Sequence, residues 1–266
     1  MTNLTDELAV ASDLALRAGA ALRRHRAGGP LPVMRKAGDE PVTAADLESD
    51  AIIRGGLAGA FPEDALFSEE TPDSPERLCN PRVWIVDPLD STSNYVSGGD
   101  EYSVSIGLAI HGQPALGAVY NPARDELVAG ALDHGVTLNG TPVHPSQLSQ
   151  PEQAHLTISR KEWQRGLPDG LADLCLTPVA SMAYKLARVA AGLDDGAVSF
   201  KRRKEWGTCA GVALVLAAGG RATLLDSQPI AFNRSEPKQA CGMLAAGCAG
   251  LHYQLLNHLN HLRTQS

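Results

Sequence analysis

The sequence predicts a layered α/β protein, built as two halves of one compact unit divided near residue 150. Three observations carry this. Two stretches near the N-terminus repeat apolar residues at helical spacing; the middle of the first half is a series of strand-like runs; and the chain after residue 150 alternates strand-like with helix-like segments. With 266 residues, 44% of them hydrophobic, the chain can bury one large core or two closely packed ones.

In chain order, Leu4, Leu8, Ala11, Ala15, Ala18 and Leu22 recur every three or four residues, which predicts an amphipathic helix that "AGGP" stops. "RKAGDEPVT" is turn-rich and reads as a loop or short hairpin, and a second helix is expected from Ala44 to Ala60, before "FPED". "RVWIV" (82–86) is a buried strand. "YSVSIGLAI", "PALGAVY", "ELVAGAL" and "VTLNGTPV" follow as an antiparallel meander with an Asn139-Gly140 hairpin turn. The second half reads as strand "HLTIS", a helix near 161–172, strand "CLTPV", helix "SMAYKLARVAAG", strand "GAVSF", helix "GTCAGVALVLAAG", strands "RATLLD" and "GMLAAG", and a terminal helix. The expected halves are 1–150 and 151–266.

Composition narrows the function classes. A net charge of −7 argues against a partner that is a nucleic-acid polymer. No stretch reaches the roughly 18 apolar residues that span a bilayer, and "MTNLTDELAV" carries an acid where a signal peptide would be basic, so no membrane role and a cytoplasmic location are expected. Cys79, Cys175, Cys209, Cys241 and Cys248 show no C-x-x-C spacing and read as buried reduced thiols.

The chemistry-bearing stretch is "DPLDSTSNY" (87–95), directly after the 82–86 strand. Acids at the carboxyl end of a strand line the crevice where α/β proteins bind ligands. Pro88 cannot continue a ladder, so the backbone is expected to turn there and aim Asp87 and Asp90 at one point. Asp46 and Glu69 also fall at expected element ends. Acids gathered without cations would raise one another's pKa, and a hard divalent ion, Mg²⁺ above all, is their natural neutraliser. "STSNYV" can begin a helix whose first amides, those of Ser91 and Thr92, would hold phosphate oxygens. Taken alone, Asp-Pro-x-Asp is equally a simple turn, and "SEE" a solvated acidic loop.

The ordered series "DEPVTAAD" (39–46), "LFSEE" (66–70), "WIVDPLDST" (84–92) and "KEWGTCAGVALVLAAGG" (204–220) resembles the lithium-sensitive, magnesium-dependent phosphomonoesterases of the inositol monophosphatase superfamily. The resemblance covers nearly the whole chain, and "SRKEW", "SMAYKLARVAAG" and "PIAFNR" look most like its bacterial 3'(2'),5'-bisphosphate nucleotidase (CysQ-like) branch. It implies the sugar-phosphatase fold, an α+β/αβ layered sandwich with alternating helix and sheet layers, commonly as a homodimer. It implies two or three Mg²⁺ per site: Glu69, Asp87 and the Leu89 carbonyl at the first, Asp87 and Asp90 at the second. Asp46, Thr92 and Glu69 would be catalytic, with Thr92, hydrogen-bonded to Asp46, deprotonating the attacking water. Substrate contacts would come from Asp90, Ser91, Thr92, Ser159, Ser181, Lys185, Glu205 and Gly207. The substrate would be a small phosphate ester, adenosine 3',5'-bisphosphate first, inositol monophosphate or fructose 1,6-bisphosphate next.

The chain departs from the family pattern in two places. Gly207 follows Trp206 where the family has an aspartate of the second metal site, and Ser91 replaces the glycine of D-P-x-D-G-T. The second site should therefore be weakened. Either substrate and water complete it in a slower phosphatase, or Glu205 or another acid swings in, or the protein binds phosphate esters without efficient turnover. "KRRKE" (201–205) reads either as a solvated face or as a receiver for a second phosphate. His258 and His261 lack further ligands and read as exposed, and Gly219-Gly220 reads as a helix stop.

Overall fold

A computed structural model of the chain describes residues 3–29, 31–36, 41–166, 171 and 174–264, with side chains up to Leu259. The first half contains α1 (Thr5–Ala27), the short pair β1 (Met34–Arg35) and β2 (Pro41–Val42), α2 (Ala44–Ala60), β3 (Ala65–Ser68), β4 (Arg82–Asp90) and α3 (Thr92–Val96). A meander follows: β5 (Ser103–Ile110), β6 (Gln113–Asn121), β7 (Glu126–Ala131), β8 (Gly135–Leu138) and β9 (Thr141–Val143). The second half contains β10 (His155–Ser159), α4 (Arg160–Gln164), β11 (Cys175–Val179), α5 (Met182–Ala190), β12 (Gly196–Ser199), α6 (Cys209–Ala217), β13 (Arg221–Leu224), β14 (Met243–Ala246) and α7 (Ala249–Thr264).

Strand periodicity sorts these elements into five layers. Successive residues of a strand face opposite sides of the sheet. In the seven-stranded sheet, ordered β3-β4-β5-β6-β7-β8-β9, Trp84 and Val86 join the core under α1 and α2, while Val83 and Ile85 join the core under α5 and α6. That second core continues onto Ala197, Leu224 and Ala245 of a mixed five-stranded sheet, ordered β11-β10-β12-β14-β13. The far face of this sheet, with Leu156, Val198 and Leu244, packs on Leu251 and Leu255 of α7. The layers therefore run helix, sheet, helix, sheet, helix, with one apolar core shared by both halves.

Two glycines bring the middle helices close. Gly107 and Gly117 pair across β5 and β6. A Cβ would lie 2.7 Å from the Ala210 amide nitrogen at the first and 2.2 Å from the Ala210 carbonyl oxygen at the second, so the backbone of α6 rests directly on the sheet.

Several expectations are adjusted. The strand expected to stop at residue 86 runs on to Asp90, with its register broken between Asp87 and Asp90, so Pro88 lies in a bulge rather than a terminating turn. Ser49 of α2 donates to the Pro88 carbonyl at 2.8 Å and supports that bulge. The helix expected near 161–172 is the shorter α4, and 167–170 and 172–173 lie outside the described residues. The "RKAGDEPVT" segment pairs Arg35 with Pro41, but residues 37–40 at its centre lie outside the described residues. The five cysteines are free, yet only Cys209 is buried; Cys241 and Cys248 are half-buried and Cys79 and Cys175 exposed. His258 is half-buried, and the His261 side chain lies outside the described residues.

Candidate active site

The bulge, the end of β3, the start of α3 and the start of α6 meet at one cavity of about 330 Å³. Glu69, Asp87, Leu89, Asp90, Ser91, Thr92, Ser159 and Gly207 all line it. The Glu69 amide donates to the Val86 carbonyl at 3.1 Å, extending the β3–β4 pairing by one residue and setting Glu69 beside Asp87. The two carboxyl groups are close enough to share a hydrogen bond. Asp87 also accepts from the Leu89 amide at 3.2 Å.

Asp46 does not line the cavity; it lies one residue behind it. It closes the N-terminal capping box of α2, where its Oδ2 accepts from the Thr43 amide at 2.8 Å and the Thr43 hydroxyl at 2.7 Å. Its other oxygen, Oδ1, accepts from the Thr92 hydroxyl at 3.0 Å, so a fully buried carboxylate backs a hydroxyl that faces the cavity. Ser91 adopts φ +77°, the left-handed conformation that glycine takes without cost and L-residues take at roughly 1–2 kcal/mol.

Asp90 is held by the start of α5. Its Oδ2 accepts from the Ser181 hydroxyl at 2.6 Å and the Ala183 amide at 2.7 Å, both at the start of α5. Ser181 thus reaches the site through Asp90. Among the described residues no three acid, histidine or cysteine side chains form a ready metal cage; Glu69 is hydrogen-bonded to Asp87, and the charge of Asp90 also acts on Asp87. The Glu69 and Asp87 carboxylates and the Leu89 carbonyl are hard oxygen donors, a set that fits a divalent cation such as Mg²⁺.

The electrostatics point the same way. Burial pushes Asp87 well above the ordinary carboxylate range, and the charges of Glu69 and Asp90 push it further. Burial also raises Asp90, against hydrogen bonds from Ser181 and Ala183 and the nearby cations Lys185 and Arg203. Asp46 is raised by burial against its bonds from Thr43 and Thr92. Glu70 is pushed up to about 7 by burial, against Lys36.

A carboxyl group whose folded pKa exceeds its unfolded value holds more protons folded than unfolded, so stability falls as pH rises between the two. For Glu70 that window runs from 4.5 to about 7, and Asp87 and Asp90 act in the same sense from 3.8 upward. The metal-free chain is therefore expected to melt at progressively lower temperature from about pH 5 to about pH 7. Thermal unfolding in EDTA checks this, and a melting temperature that climbs across the window contradicts it.

Two expected site residues lie elsewhere. Glu205 is fully buried and accepts from the Asn233 amide at 2.7 Å and the Arg234 amide at 3.0 Å, holding that loop; it does not swing toward Asp87. Lys185 is fully buried behind Asp90, its Nζ without a hydrogen-bond partner among the described residues. Burial, helped by the charge of Arg203, pushes its pKa down to about 7. Gly207 faces Asp87: a Cβ there would lie 3.7 Å from Asp87 Oδ2, an ordinary contact.

The structure adds residues that sequence reasoning passed over. Lys36 donates to Glu70 at 2.6 Å and Glu69 at 3.4 Å. Glu162, in the short charged α4, is buried at the edge of the "KRRKE" segment. Lys36, next to Arg35 and ahead of acidic residues, carried a weak sequence signal; Glu162 lies in the "SRKEW" stretch, but nothing there singled it out.

Comparison with known proteins is consistent with this geometry. Residues 3–263 match the inositol monophosphatase family. The chain is 33% identical over 219 residues to a histidinol-phosphatase of Chlorobaculum parvum, covering 82% of this chain and 75% of that one. It is 31% identical over 227 residues to the 3'(2'),5'-bisphosphate nucleotidase CysQ of Escherichia coli O157:H7, covering 84% and 92%. The solved inositol monophosphatase of Anabaena (Nostoc) sp. PCC 7120 superposes with a TM-score of 0.80 at 31% identity, covering 98% and 97% of the two chains.

Proposed function

Since this chain belongs to the inositol monophosphatase family and is a phosphomonoester hydrolase, we propose that it uses Mg²⁺ and water to remove phosphate from a small anionic ester, adenosine 3',5'-bisphosphate first. The observation that carries this reading is the Thr92–Asp46 hydrogen bond opening onto the cavity that Glu69 and Asp87 line.

Held by Glu69, Asp87 and the Leu89 carbonyl, with Asp87 and Asp90 at a second position, Mg²⁺ would supply charge for the phosphoryl oxygens and lower the pKa of a bound water. The chain's own groups do the rest. The Thr92 hydroxyl orients the attacking water by accepting its hydrogen bond and passes a proton toward Asp46 Oδ1. Asp46 suits that task because burial raises its affinity for a proton, while Thr43 holds its other oxygen still. The amides of Ser91 and Thr92, at the entry to α3, would receive phosphoryl oxygens.

The CysQ relative supports the bisphosphate nucleotide as substrate and the inositol monophosphatase structure supports inositol monophosphate next; fructose 1,6-bisphosphate rests on the resemblance. A cytoplasmic homodimer inhibited by Li⁺ accompanies this reading and rests on the resemblance. No helix of the described residues is long and apolar enough to cross a membrane.

Release of inorganic phosphate from these three esters and from histidinol phosphate, with and without Mg²⁺ and Li⁺, tests the proposal. Mg²⁺-stimulated release that is fastest with the bisphosphate nucleotide is expected. Tight ester binding without any Mg²⁺-stimulated release would instead favour a phosphate-ester binding protein.

A further inference from the structure

The cavity is lined by charges of both signs: Glu69, Asp87 and Asp90 on the one hand, Lys161, Arg202, Arg203, Lys204 and Lys238 on the other, in a chain whose net charge is −7. These five residues come from three separate places in the sequence that the fold brings to one cavity, so the cluster is more than a local charge run.

The run 201–204 is also tied down on both sides. On one side Glu162 accepts from the Phe200 amide at 2.9 Å, the Lys201 amide at 3.0 Å and the Ser199 hydroxyl at 3.2 Å, and pairs with the Arg203 guanidinium. On the other side Arg202 Nε donates to the Gln239 carbonyl at 2.6 Å and the Gln239 amide donates to the Arg203 carbonyl at 2.8 Å. Consecutive cations repel, and a merely soluble loop would let them spread into water. Here backbone bonds hold them at the cavity, and Arg202 is anchored through carbonyl acceptors that carry no charge to cancel its own.

We propose that this basic cluster is a second anion subsite that receives the non-reacting anionic group of the substrate, and that Glu162 is the positioning residue that fixes its shape. This rests on the phosphatase reading of the same cavity and narrows it: a phosphate ester with a second phosphate is favoured, and one with a cationic remainder is disfavoured at the same mouth.

The test uses binding, so that it does not depend on turnover. Calorimetry in EDTA compares a nucleoside 3',5'-bisphosphate with the matching nucleoside 3'-monophosphate. The bisphosphate is expected to bind about tenfold or more tightly, the scale of hydrogen bonds to charged groups. That advantage should shrink as salt is raised. In the double variant Lys161→Met, Lys238→Met, at exposed positions where folding is undisturbed, the advantage should fall to within about twofold. Glu162→Ala should reduce the advantage as well, and Glu162→Gln, which keeps an acceptor for the backbone amides, should restore part of it. Equal binding of the two esters by the unmodified chain, or an advantage that survives the double variant, overturns the proposal. Failure of the phosphatase reading would look different: the binding advantage would persist while neither ester released phosphate with Mg²⁺.

Discussion

Gly207→Asp is expected to raise Mg²⁺-stimulated phosphate release by at least roughly 10–100-fold, the range that losing even a group behind a metal ligand costs. The position can take the side chain. Gly207 has no left-handed backbone angle to forbid one, and its Cβ would meet only Asp87 Oδ2 at 3.7 Å and the Lys204 carbonyl at 4.0 Å. A carboxylate placed there faces Asp87, where burial and neighbouring acids already disfavour negative charge. The variant should therefore need more cation to fold well and should use it better. Phosphate release titrated with Mg²⁺, together with thermal unfolding in EDTA, measures both. An unchanged rate at every Mg²⁺ concentration would mean that residue 207 has no part in metal binding in this chain.

Asp87→Asn should move activity and stability in opposite directions. Release should fall about a hundredfold or more, since Asp87 is the carboxylate proposed at both metal positions. The metal-free protein should melt higher, by about 2–4 °C for each kcal/mol of repulsion removed. Asparagine keeps the oxygen that accepts from the Leu89 amide but drops the charge that Glu69 and Asp90 oppose. A variant that lost activity by misfolding would melt lower instead, so the pair of measurements separates the two causes. Wild-type turnover by Asp87→Asn would remove Asp87 from the metal site.

Much of the fold was legible because periodicity reports local burial. The α2 boundaries, Ala44–Ala60, and the strands His155–Ser159 and Cys175–Val179 coincide with the expected segments. Pro88 was read correctly as an interruption and incorrectly as an end, because pairing of Asp90 with Ser103 depends on a distant strand. Within the site, the spacing of Asp87 and Asp90 was visible, but the turn of Asp90 toward Ser181 depends on α5 docking ninety-odd residues away. Glu205 and Glu162 were the hardest to place. Each sits among charged neighbours, which in sequence suggests a wet surface, yet each is buried because it satisfies backbone amides of a loop from elsewhere. Gly107 and Gly117 lie inside the expected strands, and the close approach of the α6 backbone accounts for both.

Asp90 stands on a strand of the first half, yet its carboxylate hangs from the opening turn of a helix in the second. The pocket is thus a gauge of how firmly the two sheets are seated against each other. A slight slackening of that seam, by heat or by solvent, would swing this one side chain out of alignment long before any strand came apart. Activity is therefore expected to be lost at a lower temperature than the one at which the protein melts.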